Sequence, residues 1–275
     1  MTPIPRSMAA QPPPDWCLPT GVDAPLWAYA HSERLALEDD GYFAGHPLLN
    51  ADLDYVLSRL RPPGVVADLG CGTGRAALAL AARGFEILAV DLSPAMLRHL
   101  AAQARRNQLP ILAIRGNLCD LRTIRSESCD AALLLFSTLG MIRGRAARRR
   151  ALAQAAQIVK PSGRLILHAH NLWHNLRQPG GRSWLASQWL MLALDPDRAG
   201  DRPMTYRGIP NLIVHQYRYR ELRADLLASG WTIVDQTALD AVTARPIRWP
   251  GLLPSLRAGG WLVTAQRTAR IKSLA

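Results

Sequence analysis

The sequence predicts an α/β fold, a mainly parallel sheet with helices on both faces, and three observations predict it. Between Val65 and Ala169 short apolar runs alternate with helical stretches, the rhythm of strand–helix–strand units. The first run ends in alternating glycines, Gly70, Gly72 and Gly74, that lead straight into an alanine-rich helix. No apolar run reaches the roughly 18 residues a membrane-crossing helix requires. With 275 residues, 49% of them hydrophobic, the chain can bury one large core.

Taken in order, residues 1–25 are proline-rich (Pro3, Pro5, Pro12, Pro13, Pro14) and read as a flexible arm without a signal-peptide core. A cytoplasmic protein is the expectation. Residues 26–60 read as helical, with Leu49, Leu53, Val56, Leu57 and Leu60 on one face, and Pro62-Pro63-Gly64 ends that segment. Val65–Leu69, Glu86–Val90, Ile111–Ile114, Ala131–Phe136 and Arg164–Ala169 read as five buried strands. Helices are predicted from Gly74 to Arg83, after Ser93-Pro94, where serine caps and proline fills the first turn, and from about Arg145 to Val159. Residues 61–170 thus form the core unit. Residues 171–208 break the rhythm with Trp173, Trp184 and Trp189, Pro179-Gly180-Gly181 and a short helix from Ser183 to Leu194. Residues 209–275 return to the sheet: an extended segment Leu212–Tyr219, a helix Glu221–Ser229, and two last strands, Thr232–Gln236 and Leu262–Gln266.

The net charge of +12 attracts phosphate at long range. Only Lys160 and Lys272 are lysines, and the arginines are scattered; the densest group, Arg145, Arg148, Arg149 and Arg150, reads first as a solvated helix face. Cys17, Cys71, Cys119 and Cys129 form no CxxC pair and no zinc spacing, so they read as reduced thiols.

The glycine loop carries the chemistry. A glycine-rich turn between strand and helix lets a ligand approach the main chain and offers bare N–H groups to a negative moiety. A dinucleotide loop wants G-x-G-x-x-G; here the third glycine comes one residue early, Arg75 fills the dinucleotide position, and Asp68 precedes the first glycine by two. This Asp68-Leu-Gly70-Cys71-Gly72-Thr-Gly74 stretch resembles motif I of the class I S-adenosylmethionine-dependent methyltransferases. Lys160-Pro161-Ser162-Gly163 adds a likeness to a broad bacterial group of them, and His215–Tyr219 with Gly259-Gly260-Trp261 a fainter one to tRNA wobble-uridine methyltransferases.

The resemblance implies a Rossmann-like seven-stranded, mostly parallel sheet whose last strand is antiparallel, with S-adenosylmethionine as cofactor and S-adenosylhomocysteine as product. It implies that the loop holds the methionine part of the cofactor, that Asp91 and Leu92 meet the ribose, and that Asn117 and Leu118 meet the adenine, asparagine standing where the family has an acid. Phe136 and Ser137 fall beside the transferable methyl group. The Asn-Pro-Pro and Pro-Cys signatures of DNA-base methylation are absent. For the acceptor side the expectation names Tyr42, His46, Ser137, Asn171 and Trp173, with residues 26–60 as a lid and 171–208 as a cover. His170, on one strand face with His168, is the candidate general base, and no metal is expected. Three readings follow: a methyltransferase acting on a small or medium-sized metabolite, one acting on RNA, and a cofactor-binding protein without turnover.

Overall fold

A computed structural model describes residues 12–268, so residues 1–11 of the arm, together with Lys272, lie outside the described residues. In chain order the strands are β1 (Gly64–Leu69), β2 (Phe85–Asp91), β3 (Ile111–Arg115), β4 (Cys129–Leu134), β5 (Val159–His170), β6 (Asp201–Tyr206), β7 (Ile209–His215), β8 (Trp231–Leu239) and β9 (Gly260–Arg267). Seven of them form one sheet in the order β3-β2-β1-β4-β5-β9-β8. β1 to β5 run parallel, and β9 runs antiparallel to both its neighbours. This is the Rossmann-like, mostly parallel sheet with an antiparallel last strand that the sequence predicted.

The segment expected as one helical stretch divides into α1 (Ala24–Ala30), α2 (Glu33–Tyr42) and α3 (Pro47–Arg59). The breaks lie at caps. Asp23 accepts from the Leu26 N–H, Ser32 from the Leu35 N–H and His46 Nδ1 from the Leu48 N–H, with Pro25 and Pro47 in the first turns. The remaining helices are α4 (Arg75–Ala81), α5 (Pro94–Arg106), α6 (Thr138–Met141), α7 (Arg145–Ile158), α8 (Gly181–Leu194), α9 (Tyr219–Ala228) and α10 (Pro254–Arg257). As expected, Ser93 caps α5 by accepting from Met96, and Pro94 occupies its first turn.

Alternation along the strands splits the core in two. Leu69, Leu134 and Leu167 face α7 and α9, where Trp231 Nε1 donates to the Leu152 carbonyl at 2.9 Å. Val66, Leu133 and Ile166 face Val56 of α3, Leu80 of α4 and Leu100 of α5. Each wholly buried leucine contributes about 1.5–3 kcal/mol.

Three local readings change. The end of the arm is packed at Gly21: a Cβ there would lie 2.7 Å from Ile142 and 3.2 Å from Cys119, and Gly21 O accepts from the Arg143 N–H. β5 begins at Val159 and carries Pro161-Ser162-Gly163 within it, with a register shift opposite β4. β6 went unseen in the sequence; it pairs antiparallel with β7 as a separate hairpin whose tip is Arg207-Gly208.

Candidate functional site

A cleft of about 500 Å³ opens at the carboxyl ends of β1, β2 and β4, within the usual range for a ligand pocket. Its floor is the glycine loop. Gly70, Gly72 and Gly74 have φ of +78°, +56° and +92°, a backbone that side-chain-bearing residues rarely adopt. Their reasons differ, however. A Cβ on Gly70 would meet Thr138 at 2.3 Å and one on Gly74 would meet Leu100 at 2.2 Å, so these two permit packing. At Gly72 a Cβ would find its nearest neighbour at 3.8 Å, and this residue faces the cleft.

Of the expected cofactor residues, Asp68, Gly70, Cys71, Gly72, Asp91, Leu92, Asn117, Leu118 and Phe136 line the cleft. Gly74 does not; it is the N-cap of α4. Asp68 is buried with its Oδ2 unpartnered, and burial pushes its carboxyl up to about 6. An orphaned carboxylate beside a glycine loop fits a cationic group such as an ammonium. Asp91 Oδ2 accepts from the Gly72 N–H and Oδ1 from the Ser93 N–H, both at 2.8 Å, which ties the loop to the end of β2. Asn117 donates to the Thr20 carbonyl at 2.9 Å and accepts from the Cys119 N–H at 3.0 Å. Its oxygen therefore keeps one lone pair for a ligand.

The acceptor-side residues fare differently, because none of the five lines the cleft. Tyr42 and His46 stand behind it: the Tyr42 ring packs on Phe43 at 4.9 Å, and the His46 ring on Phe136 at 5.6 Å, while Phe43 and Phe136 themselves form the wall. Ser137 is buried at φ +61° and turned toward Gly140. Asn171 is fully buried and spends its amide on the carbonyls of Ser255 and Ala258, both at 2.7 Å, and its Oδ1 on the Trp173 N–H, which makes it a structural clamp. Half-buried Trp173 follows that clamp, outside the cleft. His170 also lies outside the cleft lining. Burial lowers it and its neighbour His168 to about 3, so at neutral pH the imidazole is uncharged and a feeble proton acceptor.

Several residues of the site gave no signal in the sequence. Asp39 and Asp40 of α2 line the cleft, and Thr73 Oγ1 donates toward both, at 3.1 and 2.8 Å. Arg207, at the hairpin tip, donates to Asp39 Oδ1 at 2.6 Å and to the Leu35 carbonyl at 3.0 Å, and its guanidinium stacks 4.5 Å from the Tyr42 ring. Arg75 lines the cleft and donates to the Leu49 carbonyl. Behind the wall, wholly buried Asp52 accepts from the Phe136 N–H at 2.8 Å, leaving Oδ1 unpartnered. Burial pushes its carboxyl up to about 7. That bond braces Phe136 and Ser137, consecutive residues with φ of +48° and +61°. A side-chain partnership across 168 residues, as between Asp39 and Arg207, leaves no local pattern.

Residues 66–163 match the family model described as "Methyltransferase domain". A ubiquinone biosynthesis O-methyltransferase of Xanthomonas axonopodis is 29% identical over 46% of this chain and 52% of its own. A 23S rRNA (uracil(1939)-C(5))-methyltransferase of Halomonas elongata is 34% identical over 39% of this chain and 24% of its own. The chain spans about half the length, or less, of the curated relatives it matches. Among solved structures, the Burkholderia thailandensis 1,6-didemethyltoxoflavin-N1-methyltransferase with bound S-adenosylhomocysteine superposes with a TM-score of 0.58 at 18% identity, over 86% of this chain and 85% of that one. These relatives act on unlike acceptors, so the likeness fixes the fold and leaves the acceptor open.

Proposed function

We propose that the chain is a class I S-adenosylmethionine-dependent methyltransferase that transfers the cofactor's methyl group to a small or medium-sized metabolite held in the cleft, a reading supported by the match of residues 66–163 to a family model described as "Methyltransferase domain". When bound, the cofactor supplies a methyl group already activated at a sulfonium centre. Asp68 then meets the ammonium of its methionine part, Asp91 the ribose hydroxyls, and Asn117 with the Leu118 N–H the adenine edge. Phe43 and Phe136 flank the acceptor. With the donor activated, the chain has chiefly to orient the acceptor and exclude water, and orientation is worth roughly 7–11 kcal/mol. His170 has no part in this scheme.

One observation carries the acceptor class: the cleft is roofed and acid-lined. Asp39, Asp40, Asp68 and Asp91 line it against Arg75, and Arg207 ties the roof helix α2 to the β6–β7 hairpin. That field suits a sulfonium and opposes a phosphate backbone. The arginines that made RNA attractive are occupied. Arg145 and Arg149 both donate to Asp225, at 2.9 and 2.7 Å, Arg148 is buried near Asp201, and Arg150 donates to the Cys119 carbonyl. Labelled-methyl transfer into a fractionated extract, with and without ribonuclease, tests the proposal. Label in a low-mass fraction that survives ribonuclease is the expected result. Label confined to a ribonuclease-sensitive fraction overturns the acceptor class, and no transfer to any fraction despite cofactor binding overturns turnover itself.

A further inference from the structure

Ten of the sixteen large apolar side chains exposed among the described residues fall in two short segments, 176–194 and 242–257. On α8 they include Trp189, Leu190 and Leu194, at 65%, 62% and 70% exposure; in the second segment they include Trp249, Leu252 and Leu253, at 69%, 60% and 61%. α8 is apolar around nearly its whole circumference, yet past its first residue it buries only Leu185 and Gln188, so its outer face has no partner within the chain. The segments are neighbours: both pack on the 3₁₀ turn Leu172–Arg177, and Arg177 donates to the Arg257 carbonyl at 3.1 Å.

The exposure in the second segment is built in. Arg257 donates to the carbonyls of Trp249, Leu252 and Arg248, which fixes the loop. Trp249 and Leu253 have φ of +57° and +44°, conformations costly for side-chain-bearing residues and concentrated where function demands them. The charge is one-sided. Neither segment contains an aspartate or glutamate, while they contain Arg177, Arg182, Arg245, Arg248 and Arg257, none of which has a carboxylate partner among the described residues. The acids at the margins are Asp195 and Asp197, beyond α8, and Asp240, whose carboxylate accepts from Val242 and Thr243.

From these observations we infer that α8 and the 242–257 loop dock on an anionic membrane surface, lying in the interface without crossing it. A bilayer with anionic headgroups offers both apolar depth for the tryptophans and leucines and negative charge for the arginines. A second copy placed symmetrically on the same face would set arginine against arginine. No helix of the described residues is long and apolar enough to cross a membrane, and the docking requires none. β5 ends at His170 on the sheet edge where the cleft lies, so the docking segments follow from the cleft's edge of the sheet. The inference stands independently of the methyl-transfer proposal.

Flotation of the full chain with vesicles tests it, using phosphatidylcholine alone and phosphatidylcholine mixed with phosphatidylglycerol. The chain should float with the mixed vesicles, less so with phosphatidylcholine alone, and less as salt is raised. The pair Trp189→Ser and Leu190→Ser, or the pair Trp249→Ser and Leu253→Ser, should weaken binding about tenfold or more. Arg245→Gln and Arg248→Gln should weaken it about fivefold each. Quenching of the unaltered chain's tryptophan emission by brominated lipid gives a reading that needs no variant, and it should be stronger with anionic vesicles than with phosphatidylcholine alone. Absence of flotation and quenching, flotation indifferent to these substitutions, or a dimer abolished by them without vesicle binding would each overturn the inference.

Discussion

At Asp68 the protein tolerates an instability that the proposed cofactor would relieve. A buried carboxylate with one orphaned oxygen is held near a titration point of about 6 by desolvation, which disfavours the charged form the site requires. Asp68→Asn should therefore weaken S-adenosylmethionine binding about tenfold or more in calorimetric titration, while leaving the melting temperature of the ligand-free protein unchanged or higher. A drop in melting temperature with unaltered affinity would make Asp68 a structural residue only. Asp52 permits a sharper pH test. Its folded value, about 7 against an ordinary 3.8, is raised, so the stability it confers is complete below about pH 4 and is lost as pH rises through about 7. Asp52→Asn keeps an oxygen for the Phe136 N–H but cannot ionise. Relative to the parent, its unfolding free energy from urea titrations should gain between about pH 5 and about pH 8, by on the order of 2–4 kcal/mol at the upper end. Equal pH slopes for the two proteins would remove Asp52 as the cause.

Among the elements, the roof joins parts of the chain far apart in sequence. α2 rests on Thr73 of the glycine loop through Asp39 and Asp40, and Arg207 of the hairpin fastens it there with a nearly buried guanidinium. Arg207→Gln removes the charge from that pair and leaves Asp39 short of a partner, a loss of about 2–4 kcal/mol that should fall on α2 before it reaches the sheet. Amide exchange should quicken across residues 33–42 while β1, β4 and β5 keep their protection; uniform loss of protection would mean that the hairpin supports the whole fold. This roof was also where the sequence was least legible. The loop, Ser93-Pro94 and the five parallel strands announce themselves because each is a local pattern: glycines at required positive φ, a cap with its proline, continuous apolar runs. β6 is Asp-Arg-Pro-Met-Thr-Tyr, which alternates weakly and holds a proline, and it is a strand because β7 pairs with it. Asn171 is expected on the acceptor side because polar side chains at a strand end often meet ligands; its bonds to the carbonyls of Ser255 and Ala258 depend on a loop some 85 residues later, which no local pattern announces.

For the molecule as a whole, the net charge of +12 and the acid-lined cleft point in opposite directions, and under the proposed function the cleft governs what reaches the reacting centre. Of the charge-bearing helix α7, three of the four clustered arginines face carboxylates within the fold, so formal charge overstates what a solute encounters there. The carboxylates Asp39, Asp40, Asp68 and Asp91 line the cleft that would hold cofactor and acceptor. A phosphate-rich acceptor would have to bind by neutralising arginines elsewhere on the surface. Such binding releases counterions and falls about 10³–10⁵-fold between about 50 and 200 mM salt when six to ten phosphates are engaged. A small acceptor enclosed by Phe43 and Phe136 engages no such array. Its kcat/KM, measured in solution without vesicles, should change by no more than about twofold over the same salt range. A fall of a hundredfold or more would show that the surface arginines and not the cleft select the acceptor, and would turn the assignment toward RNA.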